Sequence, residues 1–326
     1  MIELPRFPAE EWYIGKIKEL LPRHDQDEKK KEERYLKLKE EIDVELKKLF
    51  PKDSKYKDIT FEEFIVAPFT ELKKMKSYVD GVGNDYFKEY VMDNKGKMRA
   101  IYKSPWKCIY NTYDKLVRCK VNIDIIKKYK IKCCPYCNEH FIFNRGLSAV
   151  AQLDHFFPRG EYPVFALCLY NLVPSCSACN HIKRETLMGI SPHNHEFDFN
   201  NLKISYKPRN AGFLIDESAF DIDLKYVGKD KAEEVEWNEN VDKLHLIDAY
   251  NYHKDYVMEL ITKYRCNSTE YIEMLQKEFP ELIHSAEEAK RIVYGNYIEP
   301  KDYLKRPLAK MTHDIVAELE QDGARI

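Results

Sequence analysis

Two short cysteine motifs constrain the fold of this chain more than any other part of its sequence. Cys134 and Cys137 form one Cys-x-x-Cys pair, and Cys176 and Cys179 form a second. Each spacing lets two thiolates reach the same ion, so the two pairs together predict a tetrahedral four-thiolate zinc site. Four protein ligands leave no open position for water, and the predicted zinc ion is therefore structural. Residues 138–175 separate the pairs and must form a structural unit of their own.

The remaining cysteines are interpreted as buried or inert thiols. Cys133 competes with its neighbour Cys134 for a place in the zinc site, but only Cys134 has the correct spacing to Cys137. The chain has nine cysteines, and an odd number does not suit a closed disulfide framework. His140 follows the first pair and is a less favoured alternative zinc ligand.

Composition and charge indicate a globular protein of the cytoplasm. Of 326 residues, 44% are hydrophobic and 33% are charged, and the length is enough for two average domains. No stretch approaches the ~18 uninterrupted apolar residues of a membrane helix, and the first residues lack a signal-peptide pattern. The net charge of -2 argues against strong unaided affinity for a polyanion. A local basic patch, or a partner that delivers or restrains the protein, is expected instead.

The hydrophobic pattern predicts three regions. Residues 1–130 are expected to be helical, with one charged helix from residue 9 to about 50 and a turn at 80–84. Residues 131–200 contain the chemically dense segment. Residues 201–326 are expected to be strand-poor and helical, with short strands or irregular structure before residue 237. The charged helix is interpreted as solvated with one packed stripe, the alternative being a contact surface for a partner helix.

Between the cysteine pairs, Asp154 and His155 are the residues most suited to catalysis. A carboxylate can bind a hard divalent cation, and a neutral imidazole can take a proton from water. Both residues are expected at the end of a strand, because Pro158 prevents its continuation. The basic run at residues 127–132 is interpreted as a solvated helix end, the alternative being an edge that contacts phosphate.

The second cysteine pair leads into a predicted helix. Ser177 is a good N-cap for this helix, whose one face would then present both Asn180 and Lys183. Asn180 could bind a metal ion through its amide oxygen. Lys183 or Arg184 could reach a phosphate oxygen, the alternative being that both are ordinary solvated residues.

Residues 133–198 resemble the HNH endonuclease family, in the variety that has CPYC before the motif and C-x-x-C-N-x-x-K at its end. The resemblance implies a mainly α fold with a small α+β insertion. That insertion would be a ββα-metal (HNH) nuclease module, braced by the four-cysteine zinc site and flanked by helical regions. A looser likeness through the helical tail, which includes residues 291–296 and 305–308, resembles HNH nucleases of Septu-type and retron-type anti-phage systems. Those nucleases are paired with an ATPase subunit.

The resemblance also implies roles for individual residues. His155 matches the general base, and Asp154 matches the carboxylate ligand of the catalytic ion. Asn171 matches the asparagine that orients the base through hydrogen bonds within the hairpin loop. Asn180 matches the second metal ligand, which makes this an H-N-N variant. The implied ion is Mg²⁺ or Mn²⁺, and the implied reaction is DNA cleavage that leaves 5′-phosphate and 3′-hydroxyl ends.

Three other functions stay open at this point. The chain could be an RNA-cleaving toxin with the same fold, because the sequence does not separate DNA from RNA as the substrate. It could also be a non-catalytic, zinc-containing subunit that binds nucleic acid, although the adjacent Asp154 and His155 favour an enzyme. Finally, its helical arms could make it mainly an interaction subunit, in which case an ATPase partner is expected. No membrane partner is expected. His193 and His195 are interpreted as turn residues.

Overall fold

The computed structural model of the protein describes residues 1–21, 27–94, 97–146 and 148–323. The predicted helical stretch at residues 22–26 and the end of the predicted C-terminal helix at 324–326 lie outside the described residues. Within those described ranges, none of the helices combines the length and the apolar character needed to cross a membrane.

The N-terminal region begins with four helices. They are α1 (Glu10–Leu20), α2 (Glu28–Leu49), α3 (Phe61–Ile65) and α4 (Phe69–Val82). The Asp27 side chain caps α2 by accepting hydrogen bonds from the backbone amides of Lys29 and Lys30. The turn expected at 80–84 is in part wrong, because α4 continues to Val82 and ends only where Gly83 adopts a left-handed φ of 73°.

A β-hairpin interrupts the helices of the N-terminal region, where the sequence predicted mostly helix. Strand β1 (Lys88–Met92) pairs antiparallel with strand β2 (Met98–Tyr102). Aromatic and β-branched residues in both strands favour this pairing over a helix. Two further helices, α5 (Trp106–Arg118) and α6 (Val121–Tyr129), lead to the first cysteine pair.

The central segment consists of two antiparallel strands followed by a helix. Strand β3 (Gln152–His155) pairs with β4 (Leu172–Ser175), and α7 (Ser177–Lys183) follows directly. The predicted strand end at His155 is confirmed. The predicted N-cap is off by one residue, because Cys176 is the cap and its sulfur accepts a hydrogen bond from the Cys179 amide.

The C-terminal region is another hairpin followed by helices. Strands β5 (Leu202–Pro208) and β6 (Phe220–Tyr226) pair antiparallel. The helices are α8 (Lys231–Lys243), α9 (Leu246–Asn251), α10 (Lys254–Cys266), α11 (Thr269–Glu278), α12 (Ala286–Tyr294) and α13 (Ala309–Gly323). The prediction of a mainly α chain with small β elements is therefore confirmed.

One hydrophobic core includes residues from all three predicted regions, from Met1 to Leu319. On the N-terminal side, the Tyr13 hydroxyl donates a 2.7 Å hydrogen bond to the Leu167 carbonyl. On the C-terminal side, the Tyr250 hydroxyl donates to the Cys137 carbonyl. The helical flanks thus pack directly on the central segment and hold it from both sides.

Candidate active site

The four predicted cysteines form one buried cluster. The sulfur atoms of Cys134, Cys137, Cys176 and Cys179 all lie within 4.8 Å of one another. The backbone amide of Glu139 donates to the Cys137 sulfur at 3.4 Å, and the Cys179 amide donates to the Cys176 sulfur at 3.4 Å. Such amide donors stabilise thiolates, and four converging sulfurs fit the tetrahedral preference of zinc. The cluster could therefore hold a zinc ion.

The alternative ligands fit zinc less well. Cys133 is buried but lies outside the cluster, and burial raises the pKa of its thiol to about 12. His140 Nδ1 lies 3.7 Å from the Cys137 sulfur and forms a second candidate group with Cys137 and Glu139. The His140 side chain is 52% exposed, and Glu139 already contacts His253 Nε2 at 2.9 Å. The enclosed four-thiol cluster is the better zinc site.

The sequence interpretation did not identify Asn138, which fastens the first cysteine pair to the C-terminal region. Asn138 is buried with a left-handed φ of 53°, a conformation that asparagine tolerates. Its amide donates to the Tyr303 carbonyl at 2.8 Å and accepts from the Lys310 backbone amide at 3.1 Å. Its own carbonyl accepts from the Leu308 amide at 2.7 Å. The C-terminal segment thereby holds the cysteine-bearing turn in place.

Asp154 is buried and has two polar partners, neither of which the sequence interpretation assigned to it. The Tyr136 hydroxyl donates to its Oδ2 at 2.7 Å, and Lys183 Nζ lies 3.2 Å from its Oδ1. Burial raises the pKa of Asp154 and lowers the pKa of Lys183, and the attraction between the two groups opposes both shifts. The two side chains form a buried ion pair.

The placement of Lys183 does not fit the predicted phosphate contact. Its side chain is fully buried, because α7 turns this position inward, and its Nζ also donates to the His155 carbonyl at 2.7 Å. Arg184, the other predicted phosphate contact, is exposed, but its Nε donates back to the His181 carbonyl at 3.2 Å. The guanidinium of Arg184 therefore rests on the last turn of its own helix.

The His155 imidazole is buried in a defined orientation. Its Nε2 lies 3.0 Å from the Ala166 carbonyl, and its ring centroid lies 4.3 Å from that of Tyr113. A carbonyl can only accept, so Nε2 carries the hydrogen and Nδ1 holds a lone pair. No hydrogen bond engages Nδ1 within the described part of the chain. Burial lowers the pKa of His155 to about 3, so the ring is neutral at pH 7.

Asn171 supports the segment that holds His155. Its Oδ1 accepts from the Phe157 amide at 2.7 Å, and its Nδ2 donates to the carbonyls of Phe157 and Phe165 at 3.1 Å each. Phe165 directly precedes Ala166, whose carbonyl binds the His155 ring. Asn171 thereby links the residues that follow His155 to the loop that carries Ala166.

Asn180 is partly exposed on α7. Its Nδ2 donates to Gln152 Oε1 on strand β3, and its amide oxygen has no hydrogen-bond partner among the described residues. Gln152 is thus a further polar residue at this site. The sequence signal for it was its place two residues before Asp154 on the same strand.

Arg159 is the cation that the sequence interpretation missed. Its guanidinium lies over the rings of Tyr110 and Tyr113, at 4.5 Å and 4.9 Å from their centroids, and it donates to Asp114 Oδ1 at 2.8 Å. Its positive charge contributes to the lowered pKa of His155, after burial. The signal in the sequence was its position directly after Pro158, in the loop that leaves β3.

The donors available for a catalytic divalent ion are few. A carboxylate and an amide oxygen, from Asp154 and Asn180, are the ligand types that Mg²⁺ and Mn²⁺ prefer. Among the described residues, no further histidine, cysteine or carboxylate joins Asp154 in a three-ligand group. Lys183 already neutralises Asp154, which reduces the affinity of this carboxylate for a second cation. The two donors are of the right chemical type, but Tyr136 and Lys183 already occupy both oxygens of the Asp154 carboxylate.

Comparison with known proteins adds little to these observations. A segment of 47 residues is 38% identical to "Protein ea31" of Escherichia phage lambda, and this segment covers 14% of each chain. The chain therefore matches only a small fraction of that relative's length. No protein family profile matches the chain. No solved structure matches it significantly.

The four-cysteine cluster predicts a sharp difference between two adjacent positions. Cys134→Ser removes one of four ligands and is expected to abolish stoichiometric zinc binding and to lower the melting temperature, because structural zinc is coupled to folding. Cys133→Ser is the matched control and should retain one zinc ion per chain. Metal analysis by mass spectrometry, combined with thermal melting, measures both effects. Equal zinc content in the two variants would contradict the assignment of Cys134.

The buried ion pair predicts strong coupling between Asp154 and Lys183. Lys183→Met leaves a buried carboxylate without its cation and is expected to reduce the free energy of unfolding by about 3–5 kcal/mol. The double variant with Asp154→Asn removes both charges and should recover much of that stability. Urea unfolding of the two single variants and the double variant completes the cycle. Additive effects would show that the two groups do not interact.

Proposed function

We propose that this protein is a metal-dependent HNH endonuclease that hydrolyses DNA phosphodiester bonds, and that it serves as the effector nuclease of a bacterial anti-phage system. The observation that supports this best is the state of His155. Its imidazole is neutral, is held through Nε2, and keeps the Nδ1 lone pair available as a base. It lies at the end of β3, in a strand–strand–helix segment in which four cysteines bring the start of the helix next to the turn before β3.

In this proposal His155 removes a proton from the attacking water. The proton moves to Nδ1, the water oxygen forms a bond to phosphorus, and the bond from phosphorus to the 3′ oxygen breaks. The departing 3′ oxygen takes up a proton from solvent, so the products are a 5′-phosphate and a 3′-hydroxyl. The Ala166 carbonyl accepts the Nε2 hydrogen throughout and stabilises the imidazolium that forms. Asn171 keeps that carbonyl in position.

Asp154 and Asn180 are proposed to hold Mg²⁺ or Mn²⁺, which when bound supplies positive charge to the phosphate and the leaving oxygen. Lys183 keeps Asp154 ionised and, through the His155 carbonyl, fixes the end of the strand. Arg159 takes the phosphate-contacting role predicted for Lys183, because its guanidinium lies over the Tyr113 ring that packs on His155. The Tyr136 hydroxyl donates to Oδ2 of Asp154 and thereby orients the carboxylate.

The alternatives make different demands on the site. A zinc module that only binds nucleic acid does not need a buried, neutral histidine. In particular, it has no use for a ring that is held through Nε2 and keeps a lone pair on Nδ1. An RNA-cleaving toxin would use the same groups, so the choice of DNA rests on the resemblance to DNA-cleaving HNH enzymes. The defence role and the ATPase partner rest on the looser likeness of the helical tail.

The proposal is tested first at His155. His155→Ala is expected to reduce nicking of supercoiled plasmid by about 10²–10⁴-fold, because it removes the general base. His284→Ala changes an exposed histidine of the C-terminal region and should cut at the wild-type rate. Both variants are assayed with Mg²⁺ and with Mn²⁺, and on RNA in parallel. Undiminished metal-dependent cutting by folded His155→Ala protein would refute the mechanism.

A second test concerns Arg159. Arg159→Gln is expected to slow cleavage by about 10²–10³-fold, because it removes a preorganised cation from the phosphate as charge develops. Arg265→Gln removes an exposed cation from α10 and serves as the charge-matched control. Single-turnover cleavage rates report the chemical step directly. If Arg159→Gln and Arg265→Gln cleave equally fast, Arg159 has no role at the phosphate.

A further inference from the structure

We infer that a second and weaker zinc site adjoins the four-cysteine cluster. The ion in this site shares the Cys137 thiolate with the buried zinc and takes its other protein ligands from Glu139 and His140. His253 holds the Glu139 carboxylate in place. Water completes a tetrahedral shell, as at zinc sites with three protein ligands. The inference concerns metal binding alone and goes beyond the proposed nuclease function.

The three ligand atoms have the spacing that one small ion requires. A zinc ion ~2.3 Å from sulfur and ~2.1 Å from nitrogen or oxygen, with tetrahedral angles, places its ligand atoms roughly 3.4–3.6 Å apart. His140 Nδ1 lies 3.7 Å from Cys137 Sγ and 3.9 Å from Glu139 Oε2. The ligand atoms of all three residues lie within 4.8 Å of one another. Small rotations of the His140 and Glu139 side chains would therefore close the group around an ion.

Hydrogen bonding explains this spacing less well than a metal ion does. The Nδ1 atom of His140 can carry one hydrogen, yet it faces a sulfur and a carboxylate oxygen at nearly equal distances. An N–H···O hydrogen bond spans ~2.7–3.2 Å. The 3.9 Å from His140 Nδ1 to the Glu139 oxygen exceeds this range. An ion between the three atoms would contact all of them at once.

His253 supports the Glu139 carboxylate from the opposite side. This histidine is the N-cap residue of α10, and its Nε2 lies 2.9 Å from Glu139 Oε1. The other oxygen of the carboxylate, Oε2, is the one that faces His140. Carboxylates that bind metal ions are themselves hydrogen-bonded, and such outer partners are a regular part of a metal site. The C-terminal region thus orients a ligand of the second site.

The turn that carries the ligands is closed by its own backbone. The Cys134 amide donates to the His140 carbonyl at 3.0 Å, and the Asn138 amide donates to the Cys134 carbonyl at 2.8 Å. The backbone of this turn is therefore fixed before an ion arrives, which lowers the entropy cost of binding. The Glu139 side chain is only 14% exposed, whereas the His140 side chain forms the open side from which an ion can enter.

Charge and ligand type both favour a transition metal ion such as Zn²⁺. A zinc ion bound by the four thiolates carries a net charge of +2 - 4 = -2, and Glu139 adds a negative charge beside it. The attraction for a second cation is strengthened because the Cys137 sulfur is buried away from water. This sulfur keeps lone pairs after it binds one ion and can bridge to another. Sulfur and imidazole ligands suit Zn²⁺, whereas Mg²⁺ prefers oxygen ligands.

The test is the metal content of untagged protein. Protein that holds one zinc ion per chain is titrated with Zn²⁺ against a chromophoric chelator, and the bound ions are counted by native mass spectrometry. Wild-type protein should take up a second ion, and His140→Gln should abolish this uptake. His253→Gln should weaken the second site by about 10–100-fold, the effect of losing an outer partner. The matched control, His284→Gln, changes an exposed histidine elsewhere and should leave the affinity unchanged.

A further variant separates a ligand from a supporting residue. His140→Cys replaces the imidazole with a thiolate that zinc accepts, and it should retain the second ion. All variants should keep the buried zinc and the wild-type melting temperature, which shows that no loss comes from misfolding. Saturation of the wild-type protein at one ion would overturn the inference, as would full uptake of the second ion by His140→Gln. Cleavage plays no part in this test, so a failure of the proposed nuclease function would leave the second metal site standing.

Discussion

The convergence of four cysteine thiols brings the turn before β3 next to the start of α7, and these two elements supply both polar partners of Asp154. The first pair lies before β3, and the second consists of the N-cap of α7, Cys176, and a residue in its first turn, Cys179. Where the two pairs converge, Tyr136, which lies between Cys134 and Cys137, donates to Asp154. Lys183 at the end of α7 contacts the same carboxylate. The C-terminal region holds the turn that carries the first pair, because Tyr250 donates to the Cys137 carbonyl and Asn138, within this turn, donates to the Tyr303 carbonyl.

The ion pair between Asp154 and Lys183 has a structural consequence beyond charge neutralisation. Burying two charges carries a desolvation cost that their attraction offsets only with good geometry, so such a pair is weak support for stability. The pair instead fixes the position of the strand end. Lys183 also donates to the His155 carbonyl and so defines where β3 stops. This arrangement is the reason why Lys183→Met is expected to lower the free energy of unfolding and why removal of both charges should restore it. Because Lys183 is committed to Asp154, the proposed phosphate contact is assigned to Arg159, which lies over the Tyr113 ring beside His155.

Several weak constraints together define the orientation and the charge of the His155 imidazole. The Ala166 carbonyl selects the tautomer, Asn171 fixes the loop that presents this carbonyl, and Tyr113 packs against the ring. Burial keeps the imidazole neutral, which leaves Nδ1 as a lone-pair donor. A phosphate dianion or monoanion nearby would raise the pKa of this ring towards the range in which a general base is most effective.

The amino-acid sequence by itself determined which cysteines converge and that Asp154 and His155 end a strand. The Cys-x-x-Cys spacing selected four of nine cysteines, and Pro158 after the predicted strand placed Asp154 and His155 at its end, because these are local constraints of chain geometry. The tertiary structure alone decided the contacts between segments distant in the chain. It buried Lys183 against Asp154, positioned Arg159 over Tyr113, tied Asn138 to residues 303–310, and formed a hairpin at residues 88–102 where helix was expected. Local pattern cannot give these results, because each depends on which surfaces pack together when the core of the protein closes.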